Sequence, residues 1–294
     1  MKFRAHDTFF IRKGWISKGI KNIIAKPDVF VSKDKNPMDI LGIGSNMVKA
    51  LRYWLQAIGI SEEPTYGRRI QNLTTLGTKI FDEDKYVEEL GTLLLLHYKL
   101  ASNMKDATSW YFFFNIFNQT DFTRDDFVGE LNKFISIQGG DTVALRSLND
   151  DFSCIINTYV SRLKSNPTKI NAENNIDCPF GELGLVDIVH RGKEHTYRKA
   201  SIRPEFVDPW IALAIIVDQS GERNSIQLND LLNSPCNIGK ILNLDTISLL
   251  EVLHNIEKID QIKLIRTAGL DIVKILGSYN FYQCIDKYYE SIRK

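Results

Sequence analysis

An amphipathic segment at residues 45–58, preceded by a glycine turn, constrains the fold more than any other stretch of the chain. Its large apolar residues recur at helical spacing and form one stripe, which comprises Met47, Val48, Leu51, Trp54, Leu55 and Ile58. Residues 38–44 predict a short helix before it. Ser45 and Asn46 are placed to cap the long helix, and Gly59 is placed to end it. Two helices joined by a tight turn predict a helix-turn-helix.

A hairpin is predicted directly after this helix. Residues 66–69 (Tyr-Gly-Arg-Arg) are typical of a hairpin tip, and residues 70–74 are typical of the returning strand. Residues 75–77 then lead into another helix. This order of elements predicts a winged helix-turn-helix over residues 1–82.

The rest of the chain is predicted to be mainly helical. Residues 83–165 predict a helical bundle, in which the five bulky residues at 110–114 cover every face of one helix and should be buried. A second winged-helix-like unit with small β-hairpins is predicted at 226–276, and polar residues 165–175 are the best linker. The fold class is therefore mainly α, with domains predicted at 1–82, 83–165 and 166–294.

Charge is distributed unevenly along the chain. Residues 1–79 hold fourteen Lys and Arg against six Asp and Glu, a net charge of +8. The remaining residues hold 23 against 30, a net charge of −7. We therefore expect only the amino-terminal part to meet a polyanion, the alternative being chance scatter. The outward residues of the second unit (Asp245, Ser248, Glu251 and Asn255) favour a protein-contact or scaffolding role instead.

The polar face of segment 45–58 carries side chains suited to reading duplex DNA. The second helix of a helix-turn-helix enters the major groove, where Arg can bind guanine and Asn or Gln can bind adenine. Arginines at the hairpin tip suit phosphates or the minor groove. The predicted nucleic-acid-binding residues are Ser45, Asn46, Lys49, Arg52, Tyr53, Gln56, Arg68 and Arg69. The alternative is an ordinary amphipathic helix with a solvated polar face.

Signatures of catalysis and of membrane insertion are weak. Asp125-Asp126 and Asp150-Asp151 are adjacent carboxylates, but neighbours on a helix point about 100° apart and do not form a metal cluster. The Cys and His residues lack zinc-finger spacing. No run of eighteen apolar residues occurs, the start lacks the apolar run of a signal peptide, and no CxxC is present. A cytoplasmic protein with reduced thiols is expected.

Several blocks of sequence resemble a known family. These blocks are Phe3…His6-Asp7-Thr8-Phe9…Arg12…Gly14-Trp15…Lys18, then Leu41 to Val48 with Arg52-Tyr53-Trp54, then Asp151-Phe152…Cys154…Thr158-Tyr159, and Cys178-Pro179…Glu182 to Leu185. The sequence is similar through them to the family catalogued as domain of unknown function 4007. The opening block of that family usually has Glu after the His. Asp7 stands there in this chain, which keeps the carboxylate but shortens its reach.

The resemblance implies a role beyond what the residues alone predict. Family members occur in bacterial DNA phosphorothioation systems of antiviral defence, in which sulfur replaces a non-bridging phosphate oxygen. The single-strand (Ssp) member is a DNA-nicking endonuclease that works with a cysteine desulfurase, an ATPase and a PAPS-reductase-like sulfurtransferase. By similarity this chain would bind duplex DNA and nick or present one strand, with a divalent metal such as Mg²⁺ as a candidate cofactor and its ligands unknown. His6, Asp7 and Arg12 match the opening block and are the candidate catalytic or phosphate-contacting residues.

Two other functions fit the same residues. A winged-helix transcriptional regulator would bind DNA without a metal or catalysis. A protein-binding scaffold would use the acidic carboxy-terminal part. For the amino-terminal block, the alternative to chemistry is packing of its aromatic residues on the winged helix.

Overall fold

The structure, a computed structural model, describes residues 1–64, 66–67, 69–160, 178–191, 195–267 and 270–293. Within these ranges the chain is mainly helical with three small antiparallel sheets, so the predicted mainly α class is confirmed. No helix among the described residues is long and apolar enough to cross a bilayer. The predicted linker at 165–175 lies outside the described residues.

The amino-terminal part contains four helices and one two-stranded hairpin. In chain order these are α1 (Trp15–Ala25), α2 (Pro37–Leu41), α3 (Ser45–Ala57), β1 (Ser61–Glu62), β2 (Asn72–Leu73) and α4 (Thr75–Glu83). The two strands pair antiparallel, with Ser61 opposite Leu73. Both predicted helices of the helix-turn-helix are present, and the returning strand is shorter than predicted.

The two ends of α3 differ in how well the sequence predicts them. Gly59 follows the helix with φ of +76°, and the amide of Ile60 donates to the Leu55 carbonyl at 2.9 Å. Glycine adopts this left-handed conformation without a Cβ penalty, so the predicted ending is confirmed. The predicted Ser45-Asn46 cap is wrong, because Gly44 occupies the N-cap position and no side chain of the described residues is seen to cap the helix.

The central part packs four helices around a group of aromatic rings. Its elements are α5 (Leu90–Ala101), α6 (Thr108–Asn115), β3 (Asp121–Phe122), α7 (Arg124–Ile137) and α8 (Leu145–Tyr159). Trp110, Phe112, Phe113 and Phe114 of α6 are buried, as predicted, whereas Tyr111 is only half-buried. Their rings contact those of α7 and α8, for example Phe112 and Phe127 at 5.6 Å between centroids.

The carboxy-terminal part combines helices with two three-stranded sheets. After a 3-10 turn at Pro179–Leu183, the elements are β4 (Val186–Arg191), β5 (His195–Lys199), α9 (Pro209–Ser220), β6 (Ser225–Gln227), α10 (Leu228–Asn233), α11 (Ile238–Ile241), α12 (Thr246–Glu257), β7 (Ile262–Thr267), β8 (Leu270–Ile275) and α13 (Phe281–Ile292). The sheet orders are β3-β5-β4 and β6-β8-β7. The Asp245 side chain caps α12 by accepting from the Ser248 amide.

The buried apolar residues of all three parts form one continuous cluster. Contacts cross between the parts, since Lys79 of α4 pairs with Asp286 of α13 and the His97 imidazole of α5 lies 2.8 Å from the Ile241 carbonyl of α11. The three domain ranges therefore share a core, and their boundaries stay a prediction.

His97 is a buried imidazole at the centre of the molecule. Because the Ile241 carbonyl can only accept, Nε2 carries the proton, and Nδ1 accepts from the Tyr159 hydroxyl at 2.8 Å. Burial lowers the pKa of His97 from its ordinary value of 6.5 to about 4, although the hydrogen bond to Ile241 opposes this shift.

This lowered pKa predicts acid sensitivity. The unfolded chain takes up a proton as the pH falls through about 6.5, whereas folded His97 resists protonation until the pH approaches 4. Stability should therefore decrease by about 2 kcal/mol between pH 7 and pH 5 from this residue. Urea unfolding of His97→Gln over this range should show a flatter pH dependence than the wild type. The same change at exposed His254 is the control, and equal slopes for both variants would contradict the assignment.

Candidate nucleic-acid interface

Helix α3 presents a polar face to solvent. Its apolar side packs into the core through residues such as Leu51, Trp54 and Leu55, all fully buried. The opposite side exposes Ser45, Asn46 and Lys49. Three of the predicted nucleic-acid-binding residues thus lie on an open surface beside the uncapped start of the helix. Their contact with DNA stays a prediction.

Two further residues on this face are held by a glutamate of the hairpin. Glu63, directly after β1, pairs through Oε1 with the Arg52 guanidinium and accepts through Oε2 from Gln56 Nε2 at 3.2 Å. The side chains of Arg52 and Glu63 are 20% and 17% exposed. Arg52 and Gln56 therefore face the predicted side of α3, but they are not the free donors that the sequence predicts.

Tyr53 is a correction to the predicted interface. Its side chain is buried, and its ring centroid lies 6.3 Å from that of His6 and 5.4 Å from that of Trp54. Burial raises the pKa of its hydroxyl well above the ordinary value, and the charge of Asp151 adds to this shift. Tyr53 therefore points into the core and is not part of the exposed polar face of α3.

The hairpin tip is exposed where the structure describes it. Arg69 lies in solvent, and Tyr66 is 89% exposed. Arg68 is outside the described residues. An exposed aromatic ring next to an arginine is suited to stacking on a base or lying along a groove. Tyr66 is therefore a further candidate for contact with DNA, and it is not among the residues predicted from the sequence.

His6 is part of a buried network and not an open catalytic group. Its Nε2 lies 2.7 Å from Asp151 Oδ1, while Nδ1 accepts from the Thr8 amide at 3.1 Å, so the proton is on Nε2. Ser109 Oγ and the Arg4 amide also donate to this carboxylate, at 2.6 and 2.8 Å. Both His6 and Asp151 are buried, so His6 is not open to solvent, and its catalytic role stays a prediction.

Asp7 and Arg12 are only half-buried and remain candidates for phosphate contact or chemistry. The Arg12 guanidinium lies 5.9 Å from the Phe9 ring centroid and 5.6 Å from that of Trp15, which orients the cation without a carboxylate. The Phe9 carbonyl accepts from Trp54 Nε1 at 2.8 Å. The amino-terminal block is thus fixed directly to α3.

Many amino-terminal cations are neutralised by ion pairs. Lys2, Arg4, Lys26, Arg52 and Lys79 each lie within 4 Å of a carboxylate. Among the residues that the structure describes, the cations without such a pair include Arg12, Lys13, Lys49 and Arg69. The carboxylates paired with Lys2, Arg4 and Lys79 lie beyond residue 79, so the charge available for a polyanion is smaller than the net value of the first 79 residues.

Helix α12 of the second unit has a different outer face. Asp245, Glu251 and His254 are exposed there, and Ile247 is 70% exposed. The buried stripe consists of Leu249, Val252, Leu253 and Ile256. This face carries carboxylates and an exposed isoleucine where α3 carries a serine, an asparagine and a lysine.

The described residues include no group of three His, Cys, Asp or Glu side chains that could hold a metal ion. Asp126 instead caps α7 together with Thr123, and Asp151 belongs to the buried network. The described residues thus do not fit a carboxylate site for Mg²⁺.

The fold and the site together define a mainly helical protein with a polar, cationic helix face next to a two-stranded hairpin. The chain belongs to the family described as "Protein of unknown function (DUF4007)", which it matches over residues 3–289, so the resemblance found in the sequence is confirmed. Two crystal structures of SspB, one of them bound to a magnesium ion, are similar to it at TM-scores of 0.85 and 0.84. Each is 26% identical, and the alignment covers 100% of this chain and 89% of SspB. No curated protein matches the sequence.

Proposed function

We propose that this chain is a duplex-DNA-binding subunit of a bacterial DNA phosphorothioation system. The observation that carries the proposal is the exposed face of α3, where Ser45, Asn46 and Lys49 lie together with no carboxylate paired to the lysine among the described residues. Similarity to SspB and membership of the DUF4007 family support the assignment to a phosphorothioation system.

The order of elements supports reading α1–α3 and the β1–β2 hairpin as a winged helix. In such domains the helix before the wing inserts into the major groove and the wing contacts the neighbouring backbone. Helix α3 holds that position, and Arg69 and Tyr66 lie at the tip of the hairpin. The second unit has a similar plan with β6 and one more helix, since α9, β6, α10 to α12 and the β7–β8 hairpin follow one another.

The start of α3 is suited to a phosphate group. Gly44 leaves the first-turn amides without a side-chain cap, and no acidic residue lies in that turn. Free amides and the positive end of the helix dipole attract anions, and Lys49 adds a full charge one turn further along. A backbone phosphate here would fix the register of α3 in the groove.

The family resemblance is the basis for two further parts of the proposal. One is nicking of one DNA strand, and the other is work with a cysteine desulfurase, an ATPase and a sulfurtransferase as partners. Magnesium binding is a property of the SspB crystal structure. Because the described residues do not fit such a site, the proposed function includes no catalytic step through a metal.

A second role is favoured by α12. Its exposed Ile247, flanked by Asp245 and Glu251, is suited to contact a protein and would repel phosphates. We propose that the carboxy-terminal unit contacts a protein partner of the same system, while the amino-terminal unit holds DNA.

Lys49→Ala should weaken duplex binding. Loss of one good contact costs about 1–3 kcal/mol, which corresponds to roughly a 5- to 150-fold rise in Kd. The slope of log K against log salt should also become shallower by about 1 if the contact is to a phosphate. Fluorescence anisotropy of a labelled duplex between about 50 and 200 mM salt measures both quantities.

Lys133→Ala is the matched control, since Lys133 is an exposed lysine on α7, far from α3 in the chain. Equal affinity of the two variants would remove α3 from the interface. Failure of the wild type to bind any duplex at low salt would favour the scaffold function. The same protein mixed with supercoiled plasmid and Mg²⁺ tests nicking, which converts the plasmid to open circles.

A further inference from the structure

Glu63 engages two predicted base-reading side chains at once. Arg52 and Gln56 are four residues apart and lie on the same side of α3. Glu63 reaches them from the hairpin and uses one carboxylate oxygen for each. With Arg52 and Glu63 only 20% and 17% exposed, the pair is largely shielded from water.

The hairpin is fixed to α3 by a second set of contacts. Gln71, which is buried, accepts from Ser61 Oγ at 3.1 Å and donates from Nε2 to the Arg52 carbonyl at 3.4 Å. Because these bonds tie both strands to the helix, the position of Glu63 relative to Arg52 is set by the fold.

Such an arrangement affects recognition in two ways. A guanidinium has five N–H donors, so a carboxylate on one edge leaves others for guanine, and a side chain already held in one conformation loses less entropy on binding. A negative charge next to a phosphate backbone also weakens every complex that lacks a compensating base contact.

We propose that Glu63 is a specificity-determining residue of the DNA interface, which orients Arg52 and Gln56 toward base edges and disfavours duplexes that offer them no partner. The inference rests on the proposed function of α3 in DNA binding. Glu63 is a positioning residue, since it acts through Arg52 and Gln56.

The experiment compares two adjacent glutamates. A preferred duplex is first selected with the wild-type protein from a random-sequence pool, and Kd is then measured for this duplex and for a scrambled one. Glu63→Gln should bind the scrambled duplex more tightly, while the ratio of the two Kd values falls by roughly 5- to 150-fold, the value of one good base contact. The glutamine keeps an acceptor for Arg52, so the hairpin is retained.

Glu62→Gln is the control for charge alone, because Glu62 is exposed on the same hairpin and forms no ion pair among the described residues. Glu62→Gln should lower Kd for both duplexes by the same factor and leave the ratio of the two Kd values unchanged. In an Arg52→Ala background, Glu63→Gln should have a much smaller effect on the ratio than in the wild type.

The outcomes separate this inference from the proposed function. Equal behaviour of Glu62→Gln and Glu63→Gln, or a wild type that binds DNA but enriches no sequence, would overturn the role of Glu63 and leave DNA binding intact. A wild type that retains no duplex at low salt would refute both.

Discussion

Asp151→Ala should destabilise the chain by about 3–5 kcal/mol, the largest effect expected of any single substitution proposed for this protein. The buried carboxylate accepts hydrogen bonds from His6 Nε2, Ser109 Oγ and the Arg4 amide. Alanine removes the acceptor and leaves the His6 and Ser109 donors buried without a partner. The free energy of unfolding in urea, with an unchanged m-value, measures the loss.

Asp150 provides the control for this prediction. It is the preceding residue on α8, and its partly exposed carboxylate pairs with the side chain of Arg4. Exposed pairs of this kind contribute at most about 1 kcal/mol, so Asp150→Ala should have a small effect. If the two variants lost the same stability, the buried network would not anchor the amino-terminal block. A catalytic role of His6 and Asp151 would give the opposite pattern, with stability kept and activity lost.

Local signals in the sequence correctly predict the helix α3, the short helix before it and its end at Gly59. The apolar stripe, the glycine turn before the helix and Gly59 after it are all set by residues within a few positions of one another. The exposed positions of Ser45, Asn46 and Lys49 follow from the same helical spacing. The aromatic run at 110–114 is predictable as core for a similar reason, because no helix orientation leaves five bulky residues in solvent.

The parts of the site that depend on distant residues are not predictable in this way. Periodicity places Tyr53 at the edge of the polar face, but the amino-terminal block packs there and extends the buried arc, with His6 next to Tyr53. Asp151, the hydrogen-bond partner of His6, is 145 positions away in the sequence. Local residue spacing cannot predict a contact between residues so far apart in the chain.

The role of Glu63 is not predicted for a different reason. It lies only seven residues after Gln56, but the predicted interface considers hydrogen-bond donors on α3 and not acceptors on the hairpin. A carboxylate close to a predicted wing is a usable signal, since the hairpin returns the chain to the helix it follows.

Gly77→Ala should cause the second large loss of stability. This substitution tests how firmly the hairpin is held in place. Gly77 lies in the first turn of α4, and a Cβ there would be 2.1 Å from the Ile60 carbonyl oxygen. This oxygen belongs to the backbone between α3 and β1 and also accepts from the Thr74 amide at 3.0 Å. Neither backbone segment can move alone, so we expect a loss of about 3 kcal/mol in the free energy of unfolding.

Gly129→Ala is the control with the opposite sign. Gly129 is an exposed residue within α7, and a Cβ there would meet nothing within 4 Å. Alanine has the higher helix propensity, so this variant should gain about 0.5–1 kcal/mol. A stable Gly77→Ala protein would show that α4 and the hairpin shift apart easily.

The Gly77→Ala variant also distinguishes the role of α3 in DNA recognition from the role of the β1–β2 hairpin. Displacement of Ile60 moves β1 and with it Glu63, whereas Lys49 at the start of α3 stays in place. Duplex affinity measured below the melting temperature of Gly77→Ala should then remain within a few-fold of wild type for a scrambled duplex, while preference for the selected duplex is lost. Retention of that preference would mean that α3 reads the bases without the hairpin, because the Glu63 contacts would already have been broken.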